Sequence, residues 1–330
     1  MNFWFILPND VSRPIGGVKQ IHRLCESIAS LGFSASIVQE SDQFSPGWFD
    51  SNVSKISFKS FLGLTTLKKN TDYLILPETM IGYVSKLMPG LPKIIFNQNV
   101  SYTFGLNKKG DGFSSEPRDI LQLYDHSDVV AIWCVSKYDY SSLVHGFSFS
   151  SSKVFRIVNP IETSLFKPRY PKRLQISYMP RKNSLHSRRV RALIDRQNLT
   201  LDWSIVPIKN MSLSQVSNTL RDSMIFFSFG HPEGFGLPLA ESLACGCALV
   251  GYHGLGGKEL FDLANSFGVG FPVDFGDLPG FIKSLQSVEK KLLHTKEEFL
   301  KSLLQSSYIV RSHYNLEHAK LSVSAAIDSL

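Results

Sequence analysis

Residues 224–252 read MIFFSFGHPEGFGLPLAESLACGCALVGY. The run Met224–Phe229 has the length and apolar character of a buried parallel strand. A loop with three glycines, Gly230–Gly236, leads into a helical pattern over Leu237–Ala244. Pro238 suits the first turn of that helix, where a missing N–H costs nothing. Gly246 suits the position just past its end, where a positive φ is often needed. Ala248–Tyr252 then reads as the next strand. The stretch is a βαβ unit, and in open α/β sheets ligands bind at the carboxyl ends of such strands.

Two carboxylates, Glu233 and Glu241, sit on the loop and helix with seven residues between them. A helix N-terminus presents unpaired N–H groups and about half a positive charge, which favours a phosphate. Gly234 and Gly236 let the backbone approach such a group closely. A carboxylate beside a phosphate repels it, so this pair is better suited to accepting hydrogen bonds from sugar hydroxyls. The plainer reading has Glu233 solvated and Glu241 favouring the helix start.

The run E-G-F-G-L-P-L-A-E, followed by small residues and Gly, resembles the E-x7-E signature of retaining GT-B glycosyltransferases of the family 4 type. The resemblance implies that Glu233 contacts the sugar of a donor and Glu241 the ribose of its nucleotide. It places Gly234, Phe235, Gly236 and Leu237 against that donor. The fold it implies is α/β, with two Rossmann-like domains facing a central cleft and a C-terminal helix crossing back to the first domain. Domains are expected over residues 1–165 and 166–312, with residues 313–330 as the returning helix.

At 330 residues, with 43% hydrophobic and 19% charged, the chain has room for two domains with their own cores and no disordered signature. No run is long enough to span a bilayer, and Phe3–Leu7 is too short for a signal-peptide core. The four cysteines, Cys25, Cys134, Cys245 and Cys247, form no disulfide or metal spacing. A reducing cytoplasm is the expected compartment. The net charge of +7 is concentrated: residues 167–196 hold ten basic side chains against one acid, Asp195. Such a block suits a diphosphate, an anionic membrane or nucleic acid, or it is a solvated helix face. Interleaved aromatics and nucleic-acid modules are missing, so nucleic acid is not an expected partner.

Taken in order, Phe3–Leu7 reads as a strand, followed by a loop with Gly16 and Gly17. Val18, Ile21, Cys25 and Ile28 mark a helix closed by Gly32, and Ser34–Gln39 the next strand. The family places such a Gly-Gly loop near the donor phosphates and the acceptor. Phe44–Asn70 is irregular, and Tyr73–Leu76 is a strand ending at Pro77-Glu78. Met80–Met88 reads as a helix. Lys93–Phe96 is a strand that delivers Gln98, Asn99 and Tyr102 to the acceptor side, where many family members carry a catalytic His. Ile120–Ser127 and Val129–Val135 follow as helix and strand. Asn159-Pro160-Ile161-Glu162 resembles the family's inter-domain segment.

Gln175–Met179 reads as a strand running into Pro180-Arg181-Lys182. The family supplies an Arg and a Lys here to neutralise the donor diphosphate, which implies that role for Arg181 and Lys182. Val190–Gln197 and Ser212–Asp222 read as helices around a strand at Leu201–Val206. His253–Gly257 either approaches the donor or is a plain turn. Leu285–Ser306 and Leu316–Leu330 read as two amphipathic helices. Asp274 and Asp277 fall in a turn with structural roles, and no acidic pair of the DxD kind ends a strand. The resemblance implies a metal-independent hexosyltransferase with no cofactor, using a GDP- or UDP-sugar as donor substrate, and the lack of such an acidic pair agrees with it. Its acceptor would be a glycan or lipid-linked sugar in surface polysaccharide biosynthesis, reached from the cytoplasm with a peripheral contact to anionic membrane. A sugar-nucleotide epimerase or an inactive sugar-nucleotide-binding homologue is the alternative on the same fold, and a nucleic-acid-binding protein the alternative outside it.

Overall fold

The computed structural model describes residues 1–7, 9–103 and 117–330. The chain divides into two compact units, Met1–Pro160 with Leu316–Leu330, and Ile161–Asn315. In the first unit the elements run β1 (Asn2–Ile6), α1 (Gly16–Ser30), β2 (Ser34–Gln39), β3 (Ser54–Ser57), α2 (Phe58–Leu62), β4 (Asp72–Pro77) and β5 (Lys93–Asn97). They continue with α3 (Pro117–Tyr124), β6 (Val129–Cys134), α4 (Lys137–Ser141) and β7 (Val154–Arg156). The seven strands form one sheet in the order β3-β2-β1-β4-β5-β6-β7, and every pair is parallel. Strands β4 and β5 are buried along their whole length, as parallel strands covered on both faces must be.

The second unit carries β8 (Arg173–Tyr178), α5 (Ser184–Ile194), β9 (Ser204–Pro207), α6 (Leu213–Asp222), β10 (Ser223–Ser228) and α7 (Leu237–Ala244). After these come β11 (Ala248–Gly251), α8 (Lys258–Ser266), β12 (Gly270–Pro272), α9 (Leu278–His294) and α10 (Lys296–His313). Its five-stranded sheet runs β12-β11-β10-β8-β9, again all parallel. The fully buried β10 stands at its centre. Phe229, just past β10, stacks on Phe281 of α9 with ring centroids 4.8 Å apart, so the strand end and the helix share one aromatic core. Helix α5 packs on α9, and α7 packs on α10. The last helix, α11 (Leu316–Ile327), belongs to the first unit and packs on α1.

Several elements differ from the sequence reading, each for a physical reason. Met80–Met88 is no α-helix: a 3-10 helix covers Glu78–Tyr83. Gly82 weakens a helix there, and Pro89 disfavours the α conformation at Met88, which adopts φ +44°. Gly16 and Gly17 open α1 rather than sitting in a loop. Helix α5 starts six residues before Val190 and stops at Ile194. The single helix read over Leu285–Ser306 is two, broken at Thr295 (φ −138°). Its apolar spacing continues through the break, with Phe281, Leu285, Val288 and Leu292 buried on one side and Phe299, Leu303 and Val310 on the other. Periodicity therefore hides the boundary. The charges mark it instead: Lys291 and His294 close α9 while Glu297 and Glu298 open α10, each matching the helix dipole. The short β3, β12 and α2 carry no period long enough to read.

Candidate active site

In the second unit the loops after β8 and β10 and the start of α7 meet around one small pocket. Its lining includes Met179, Arg181, Lys182, Gly230, Glu233, Gly236, Pro238 and Leu239. Gly236 is the residue before α7, at φ +84°, and no side chain caps the first turn of that helix. Pro238 lies in this turn, where its missing N–H removes no bond. The pocket thus receives the uncapped, positive end of α7.

Glu233 is held from three directions. Its own N–H donates to the Gly254 carbonyl at 2.7 Å, and its carbonyl accepts from the Gly256 N–H at 3.0 Å, joining the loops after β10 and β11. A Cβ on Gly230 would stand 2.5 Å from Glu233 Oε1, and one on Gly254 would stand 2.8 Å from Glu233 Cβ. Only glycines leave room for this carboxylate. His253–Gly257 is therefore a brace behind Glu233. From the third side Lys182 Nζ donates to Glu233 Oε2 at 2.9 Å and to the Pro232 carbonyl at 2.7 Å. Both side chains keep about a quarter of their surface exposed, 24% and 23%. The reading of Glu233 as a merely solvated side chain gives way to an ion pair.

Asn183 joins the same two loops. It sits at φ +51°, in the left-handed region that Asn tolerates better than most residues. Its Nδ2 donates to the carbonyls of Phe229 (2.8 Å) and His231 (3.2 Å), tying the loop after β8 to the loop after β10. The Asn after Arg181-Lys182, at a strand end before a helix, was the available signal for this staple. His231 is held below the ordinary imidazole range by burial first, then by the charges of His253 and Lys182. Glu241, in α7, is buried at 5% exposure. Phe235 is buried, with its ring 5.1 Å from that of Tyr314. Gly234 and Leu237 lie in the same loop and helix start.

Much of the basic block has structural work. Lys172 Nζ donates to the carbonyls of Arg221 (3.2 Å) and Ser223 (2.7 Å), closing the C-terminal end of α6. Arg169 pairs with Asp222. Arg188, Arg189 and Arg191 are exposed on α5. No helix among the described residues is long and apolar enough to cross a membrane. The four cysteines are free and buried.

The first unit carries the other candidates. A Cβ on Gly17 would fall 3.2 Å from the Gln98 side-chain amide, so the start of α1 and the end of β5 are in contact. Gln98 N donates to Glu78 Oε2 at 3.0 Å, and the Asn99 N–H also bonds to this carboxylate. Glu78 is buried, and desolvation pushes it up to about 7 against those stabilising bonds. The Asn99 side chain accepts from Ser101 N at 3.0 Å, capping a short 3-10 helix over Val100–Tyr102. Tyr102 and Gln98 remain half-buried.

No protein-family profile matches the chain. An alpha-1,6-glucosyltransferase of Actinobacillus pleuropneumoniae is 25% identical over 189 residues, covering 56% of this chain and 53% of that protein. The matched part is thus about half the length of this curated relative. Among solved structures, a glycosyltransferase from Rickettsia africae superposes with a TM-score of 0.71 at 14% identity, over 99% of this chain and 98% of that one. Anabaena HepE, solved in complex with UDP and glucose, gives 0.72 at 11% identity with both chains fully covered. The chain has the GT-B fold. At such identities the likeness carries the architecture. Within a GT-B protein, the E-x7-E stretch occupies β10, the glycine loop and α7, and the Lys182–Glu233 pair lies beside it.

Proposed function

We propose that this GT-B protein is a glycosyltransferase that moves a hexosyl unit from a UDP- or GDP-linked sugar to a glycan or lipid-linked acceptor. Anomeric configuration is retained and no metal is required. The observation that carries the reading is the carboxylate of Glu233, fixed by glycines beside a lysine and the uncapped start of α7. A group that must recognise sugar hydroxyls next to a diphosphate needs such an arrangement. The cations and the helix end attract the phosphates, while the carboxylate accepts from hydroxyls.

In this reading Arg181, Lys182 and the α7 N-terminus stabilise the departing diphosphate, the work a divalent cation does elsewhere. Glu233 orients the sugar and Glu241 the ribose. Gly16 and Gly17 serve the donor, and Gln98, Asn99 and Tyr102 the acceptor side. The glucosyltransferase relative and the UDP-glucose complex of HepE support a glucosyl or related donor.

Thermal stabilisation by a panel of nucleoside-diphosphate sugars identifies the donor, since a ligand that binds the native state raises apparent stability. Glu241→Ala should then weaken the matching nucleoside diphosphate by about 1.5–3 kcal/mol, the worth of a charge-assisted hydrogen bond. Transfer by the wild type should survive excess EDTA. A folded Glu241→Ala protein with unchanged affinity would take Glu241 out of the site.

A further inference from the structure

Lys182 is claimed twice. In the free protein its ammonium is bonded to Glu233 Oε2 at 2.9 Å and to the Pro232 carbonyl at 2.7 Å. It also lines, with Arg181, the pocket that receives the positive end of α7. A diphosphate seated there draws Lys182 toward its oxygens and away from Glu233. The Glu233 backbone is tied to Gly254 and Gly256, so its carboxylate stays beside the pocket. Gly230 and Gly254 enclose its side chain so closely that a single added methyl on either would overlap it. The carboxylate then faces the diphosphate with its counter-charge removed, and like charges at this range repel.

The outcome depends on what the diphosphate carries. A sugar brings hydroxyl donors to Glu233 and restores the hydrogen bonds that Lys182 gave up. A bare nucleoside diphosphate brings none. We infer that Glu233 competes with the diphosphate for Lys182, so that the site distinguishes a sugar-loaded donor from the spent nucleotide and helps to release the latter. This rests on the glycosyltransferase reading and adds a second role for Glu233: it opposes the product as well as holding the substrate. Re-formation of the Lys182–Glu233 pair accompanies product departure.

The test is calorimetric titration at low salt of wild type, Glu233→Gln and Lys182→Met with UDP and UDP-glucose, and with GDP and GDP-glucose as a second pair. Gln keeps the shape of the caged side chain and removes its charge. Glu233→Gln should bind the bare diphosphate roughly fivefold more tightly, the scale of a partly exposed ion pair, and the sugar-loaded form more weakly. Lys182→Met should weaken both. If Glu233 only holds the loop, Glu233→Gln weakens both ligands; if it only contacts sugar, the bare diphosphate is unaffected. Either result overturns the inference, as does unchanged diphosphate affinity in Lys182→Met. Wild-type protein that binds neither nucleotide pair would instead remove the glycosyltransferase reading, and this inference with it.

Discussion

The two sheets end in loops of opposite character. After β10, polar groups point into an open pocket: Glu233 and Lys182 meet each other, each about a quarter exposed, and backbone glycines do the holding. After β4 and β5, the polar groups turn inward. Asn97 Oδ1 accepts from Thr103 (2.9 Å) and Tyr124 (2.6 Å), Asp139 Oδ1 accepts from Val100 N (3.1 Å), and Glu78 accepts from Gln98 N (3.0 Å). One edge spends backbone to present side chains; the other spends side chains to fix backbone. A polar residue at the carboxyl end of a strand is thus not by itself a ligand-binding residue. Its burial and partners sort the two kinds.

The contrast can be broken most severely at Glu78. Its carboxyl is raised from 4.5 to about 7 in the folded protein. Stability from this group is fully present below pH 4.5 and is lost as pH rises through 7, because the native state holds a proton that the unfolded chain has released. At 1.36 kcal/mol per unit the loss is about 3 kcal/mol. Glu78→Gln should flatten the pH dependence of denaturant stability between 4.5 and 7; an unchanged slope would show that Glu78 does not titrate in that window.

The pocket edge should respond in turnover instead. Gly230→Ala places a methyl against Glu233 Oε1 and should lower transfer by about a hundredfold, the effect of misplacing a reacting group by around an ångström. Thermal stability should change far less than activity. Turnover within a few-fold of wild type would mean that the caged position of Glu233 is not used.

The smallest effect separates two neighbours. Asn99→Ala removes a helix cap and should cost about 1 kcal/mol of stability. Gln98→Ala should leave stability nearly unchanged and raise the acceptor KM. Equal stability losses would place both amides among the inward-bonded groups.

The sequence was most readable where residues punctuate. Pro238 and Gly246 bracket α7, whose observed span, Leu237–Ala244, is the one read from them. Strand β2 likewise falls on Ser34–Gln39. Reading failed where one signal masked another, as at Thr295, where the apolar period continues across a break that only the charges mark. It also failed where meaning depends on burial: Glu78 is an ordinary Glu until the fold covers it. The Lys182–Glu233 pair was out of reach for a third reason. The residues come from separate strand ends, and only the adjacency of β8 and β10 brings them together. Arg181 and Lys182 look alike in sequence, yet it is Lys182 that bonds to Glu233.

The helix α11 packs on α1, the second element of the chain, although the whole of the second unit is encoded between them. Domains generally fold as units during synthesis, the earlier ones first. Here the earlier unit must wait. While the second unit emerges and folds, the face of α1 that packs on α11 has no partner. The contact between α1 and α11 forms only after the whole of the second unit has been made.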